Sequence, residues 1–223
     1  MSGMPERTVE FAAIGLRHPL LPEDQARADF YALLGRLYAS GPDAALLAAI
    51  GVAPPLTAAV AANDRDDVTV DLPAAWNALR AASATTDPEA AAREYDDLFV
   101  GVGKSEANLH ASHWLSGFMM EKPLADVRAT LATLGLGRRD GVTQVEDHLA
   151  ALCETMRILI AGHDDRPPWS VLQQRSFFAR HIEPWVFQCC TAIRDCAVAN
   201  YYREVAQFTY CYLALERDSL AME

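Results

Sequence analysis

Three short groupings in this sequence hold residue types that can do chemistry. Glu146-Asp147-His148 sets two carboxylates and an imidazole side by side. His110-x-x-His113 sets two imidazoles three residues apart, which on a helix is one face, a span that a metal ion could bridge. Gly101-Val102-Gly103-Lys104-Ser105 ends in the Gly-Lys-Ser of a phosphate-binding loop.

Each grouping can be tested against what its chemistry demands. The phosphate loop needs a glycine where Leu98 stands, and a strand before it where the pattern here is helical. The loop reads instead as the end of a helix. Zinc takes four protein ligands in structural sites and three plus water in catalytic ones, and no third ligand stands near His110 and His113 at a diagnostic spacing. Asp147 and His148 are neighbours, so on a helix they diverge by about 100° and cannot form a tight dyad. No Gly-x-Ser-x-Gly supplies a nucleophile. Two readings of Glu146-Asp147-His148 remain. Either the acids simply favour a helix start and His148 is a solvated or core histidine, or the pair lines a groove in which Asp147 accepts hydrogen bonds from a basic peptide. A helical metal-dependent enzyme using His110, His113 and His148 stands as the competing function.

The elements that must position these residues are helical. The chain has 223 residues, 51% hydrophobic and 22% charged, enough apolar material for a sizeable core. Alanine and leucine dominate, and the longest β-branched run is Val68-Thr69-Val70. The fold class expected is all-α, with roughly eight to ten helices in two loosely divided halves. The net charge of −11 opposes binding to nucleic acid and to anionic membranes, and favours a basic partner. Five cysteines without a Cys-x-x-Cys spacing suggest free buried thiols in a reducing compartment. No signal peptide and no apolar run long enough for a membrane span is visible, so a cytoplasmic protein is expected.

Along the chain, Pro22, Glu23 and Asp24 open a helix whose inward face holds Ala26, Phe30, Leu33, Leu34, Leu37 and Tyr38. A short helix follows with Leu46, Leu47 and Ile50 inward and Gly51 as its stop. Residues 52–72 read as loop with the acidic run 64–67 and at most one weak Ala-rich helix. A helix around Trp76 and Leu79 comes next, and Asp87-Pro88 then starts one presenting Ala91, Tyr95, Leu98 and Phe99. Residues 104–122, irregular and then apolar, form a candidate hinge between the halves. Pro123 opens a helix closed by Gly135, and Thr143-x-x-Glu146 reads as a capping box for the helix that ends near Gly162. Helices over about 170–182, 183–197 and a last one with Tyr202, Val205, Phe208, Thr209 and Tyr212 inward complete the chain. There is no internal repeat and no linker composition, so residues 1–223 read as a single unit.

Four segments in order resemble the TorD/DmsD family of redox-enzyme maturation chaperones. They are ADFYALLGRLY (28–38), EYDDLFVGVG (94–103), Glu146-Asp147-His148 with Leu149 and Glu154, and QRSFFARHIEPW (174–185). Val102 replaces the proline usual between the two loop glycines, no proline precedes the Asp-His pair, and His110-Ala-Ser-His113-Trp114 stands where the family has a Tyr-Ser type of hinge. The resemblance implies a helical chaperone, not an enzyme, with no catalytic residues, metal or cofactor of its own. It implies as partners a twin-arginine signal peptide and the immature catalytic subunit of a molybdenum oxidoreductase, whose export is delayed until molybdopterin is inserted. It further implies a monomer or a domain-swapped dimer. By matching position, Glu146, Asp147 and His148 are the signal-peptide-binding candidates, with Leu98, Phe99, Trp114 and Phe118 as an apolar floor. The stretch HASHWLSGFMMEKPLADVR with LGLGRRDGV is most similar to members that accompany formate dehydrogenases.

Overall fold

The computed structural model describes residues 20–57, 70–101, 106–138, 141, 144–163 and 166–222. The segment 102–105 of the phosphate-loop lookalike, Thr143 and the acidic run 64–67 lie outside them. The described residues form ten α-helices and no strand: α1 (Pro22–Ala39), α2 (Ala44–Val52), α3 (Leu72–Thr85), α4 (Pro88–Tyr95), α5 (Ala111–Ser116), α6 (Lys122–Leu134), α7 (Leu149–Ala161), α8 (Val171–His181), α9 (Glu183–Asp195) and α10 (Tyr201–Met222).

Local signals account for most of the boundaries. Asp43, Asp71 and Asp87 cap α2, α3 and α4 by accepting from the backbone N–H of the third helical residue. Ser170 and Gln173 form a reciprocal capping box on α8. Gly135 ends α6 in the left-handed conformation that glycine takes without steric cost. Helix α4 runs on into a π-helical turn, Asp96–Val100, which closes with Gly101 N–H on the Asp96 carbonyl. Gly51 does not stop α2, which continues to Val52. Its absent side chain instead permits close packing, since a Cβ there would stand 3.2 Å from Ala84 Cα on α3.

Helix α1 packs along α7, and α10 packs against α3 and α9. Buried side chains from all ten helices join one apolar cluster, to which α5 contributes Ala111, α6 Val127 and Leu131, and α8 Phe177 and Phe178. The inward face of α1 is centred on Ala28, Tyr31, Leu34 and Tyr38. Ala26 is exposed and Phe30 only partly buried. The rotation turns Tyr31 toward Tyr212 of α10, ring centroids 5.3 Å apart, so α1 serves two neighbours with one arc.

Two polar ties close the bundle. Arg27 on α1 donates to both carboxylate oxygens of the buried Glu216 on α10, to Asp24 and to Gln174 on α8, at 2.7–3.2 Å. Glu94 on α4 accepts from the backbone N–H groups of Asn200, Tyr201 and Tyr202 at 2.8–3.0 Å and so caps α10 from another element. All five cysteines are free thiols.

Candidate functional site

The helix after Glu146-Asp147-His148 begins later than the spacing suggests. Helix α7 starts at Leu149, and His148 is its N-cap, its Nδ1 accepting from Ala150 N–H at 3.1 Å. Glu146 and Asp147 therefore lie in a turn before the helix, not in its first turn.

That turn is fastened to the segment leading into α5. Ala111 N–H donates to the Asp147 carbonyl at 3.0 Å, and Leu149 N–H to the Leu109 carbonyl at 2.8 Å. The Asp147 carboxylate accepts from Ser112 N–H at 3.0 Å, and the Ser112 hydroxyl donates to the same oxygen. Its other oxygen, Oδ1, is buried with no hydrogen-bond partner among the described residues. His110 and His148 face each other edge to face, ring centroids 4.8 Å apart. Burial, with His110 nearby, pushes the His148 pKa down to about 3. His110 is lowered as well, by burial and by His113, against the opposing pull of Asp147. Both rings are neutral near pH 7, and the bond from Ala150 places the His148 proton on Nε2.

In this geometry Asp147 and His148, expected to line a groove, turn inward. They are 1% and 7% exposed, spent on holding two chain segments together. Leu98 is fully buried, and the partly buried Phe99 packs against Tyr95 and Tyr202 at 5.1 Å, at the edge of the core. Glu146 is near the surface but engaged. Arg128 approaches its Oε2 with Nε at 3.0 Å and Nη2 at 2.9 Å, and Arg138 lies 3.9 Å from Oε1. Partial burial works to raise the Glu146 pKa, but the Arg128 bond and the two guanidinium charges outweigh it and hold it below the usual range.

Beyond the staple the chain turns apolar and outward. Trp114 is half-buried, its Nε1 donating to the Asn108 carbonyl at 2.7 Å. Asn108 also accepts from His110 N–H and contacts Met119 Sδ through its amide. Gly117 ends α5 in the left-handed region, and Met120 adopts φ 60°, rare for a residue with a side chain. The result is an exposed run of Leu115, Phe118, Met119 and Met120, with Phe118 and Met120 each about 70% exposed. Beside it a cleft of about 70 Å³ opens between α5, α6 and α8, lined by Ala111, Leu115, Pro123 and Val127 and by the polar Asp126, Arg180 and His181. His181 bonds Thr130 at 2.8 Å, and burial takes its pKa down to about 4. The staple residues Ser112 and Asn108 had no sequence signal of their own, because their role depends on partners distant in the chain.

Among the described residues no three His, Cys, Asp or Glu side chains are grouped to hold a metal ion. His110 and His113 part company: His110 faces His148, while His113 is exposed against Trp114. No described helix is long and apolar enough to cross a membrane.

A profile of the nitrate reductase delta subunit family matches residues 65–191, more than half of the chain. The chain belongs to that family. Its members are TorD/DmsD-type maturation chaperones for redox enzymes, bind redox enzyme precursors and are not catalysts, which displaces the metal-dependent enzyme reading of His110, His113 and His148. The fold agrees with a crystal structure of a candidate redox enzyme maturation protein from Archaeoglobus fulgidus, at TM-score 0.55 and 15% identity over 90% of this chain and 99% of that one. No curated protein sequence matches the chain. The matched family is described by nitrate reductase, and nothing in these comparisons carries the link to formate dehydrogenase.

Proposed function

We propose that this family member is a cytoplasmic chaperone, folded as one helical domain, that holds the twin-arginine leader and the immature catalytic subunit of a molybdopterin oxidoreductase. Export would then wait for cofactor insertion. The observation that carries this reading is the exposed apolar run Leu115, Phe118, Met119 and Met120 beside a small cleft of mixed apolar and polar lining. A leader has a basic start and an apolar middle. The run suits the middle, because methionine and aromatic side chains adapt to varied apolar sequences. The chain's net charge of −11 suits the start.

In this scheme Phe118 makes contact directly, and Trp114 backs it. Asp147 and His148 are positioning residues: they fix the α5 segment on which the apolar run is mounted. Glu146, on the same turn, meets the leader's charge.

Titration calorimetry with a synthetic leader peptide tests the reading. Phe118→Ser combined with Met120→Ser removes two apolar contacts worth about 1.5–3 kcal/mol each, so affinity should fall at least about a hundredfold. Unchanged affinity in that variant, or no leader binding by the unaltered protein, would refute it.

A further inference from the structure

Glu146 is recessed, its side chain 13% exposed, yet two arginines reach it from solvent, Arg128 at 51% and Arg138 at 41% exposure. Arg128 comes from the side of α6 and Arg138 from the segment after it, so neither is needed to complete a helix. Two guanidinium groups from outside thus converge on one carboxylate, and Arg128 brings two nitrogens to a single oxygen.

We propose that Arg128 and Arg138 are placeholders at Glu146, which a paired-arginine leader displaces when it binds. The inference rests on the leader-binding reading above and adds its regulation. The exchange replaces like with like: a guanidinium leaves the carboxylate as another arrives, so Glu146 is never left without a cation. Both arginines stay in contact with solvent, so each is rehydrated as it leaves Glu146. They nonetheless set a threshold. A ligand with a single lysine offers a point charge in place of the planar fork, and does not match what it must remove. The neighbouring Asp147 ties this same turn to Ser112 of α5, so the occupied carboxylate and the apolar run sit on one fastened unit.

The test uses the full chain and the leader peptide in calorimetry. Arg128→Gln with Arg138→Gln should tighten binding about three- to tenfold. Arg93→Gln with Arg217→Gln removes the same charge from α4 and α10, outside the site, and should change binding less than twofold. In an Glu146→Gln background the first pair should lose its effect, and a peptide with both arginines changed to lysine should gain less from it. An equal gain in both pairs would reduce the effect to net charge and overturn the proposal. Unchanged or weaker binding in the first pair would overturn it too, leaving leader binding intact as a finding. No binding by any variant, with folding verified by circular dichroism, would refute the leader reading and this inference with it.

Discussion

The acid sensitivity of the His148 cap provides a sharp test of the staple. In the folded chain the imidazole accepts from Ala150 N–H and has a pKa of about 3, while its ordinary value is 6.5. Between those values the unfolded chain binds a proton that the folded chain refuses. Stability therefore falls as pH drops through 6.5 toward 3, by up to about 1.4 kcal/mol per pH unit. From pH 7 to pH 5 the contribution of His148 alone is about 2 kcal/mol. His148→Asn keeps a capping acceptor and removes the titration. At pH 7 the variant should be somewhat less stable, having lost the packing against His110. By pH 5 that deficit should shrink by about 2 kcal/mol, a relative gain in Tm of roughly 4–8 °C for a chain of this size. His110 and His181 titrate in both proteins and largely cancel in the comparison. Urea unfolding followed by circular dichroism at pH 7, 6 and 5 measures the gap directly. A gap that stays constant across that range would show that His148 is not buried neutral, and the account of the staple would be wrong.

Two further outcomes follow from the packing. Glu94→Ala strips three charge-assisted bonds from the start of α10 and should cost about 2–3 kcal/mol, seen as a Tm lower by roughly 4–12 °C, whereas Glu89→Ala on the exposed side of α4 should cost under about 0.5 kcal/mol; equal losses would refute the cap. Burial raises the pKa of the Cys153, Cys189 and Cys190 thiols, the last to about 12, so a thiol-reactive disulfide should label the native protein rapidly only at the partly exposed Cys196, and all five cysteines after denaturation; rapid native labelling of a second thiol would contradict the core packing.

Much of the fold was readable because its signals are local. Asp87-Pro88 starts α4, Pro22 with Glu23 and Asp24 starts α1, and Gly135 ends α6, each through contacts within one turn. The apolar run at Phe118, Met119 and Met120 was readable too, since such residues on an irregular segment have little to bury them. The rest depends on partners far along the chain. Nothing near Asp147 announces that Ser112, 35 residues earlier, takes its carboxylate, or that Arg128, 18 residues away, engages Glu146. His148 carries a side chain that fits either a rim or a core, and only the closing of α7 against the 108–112 segment decides it. Helix α1 buries Leu34, Leu37 and Tyr38 of the expected face and adds Ala28 and Tyr31, because a helix with neighbours on two sides buries a wider arc than one stripe.

The clasp between Arg27 and Glu216 spans 189 residues. At a synthesis rate of about 5–20 residues per second, the arginine is synthesised roughly 10 to 40 s before its acid. Until then its guanidinium must stay hydrated, and the edge of α1 that will meet α10 stays open. A protein whose family tends unfinished enzymes is thus itself unfinished for most of its own translation, and any helper that shields nascent chains would meet it with that seam still wet.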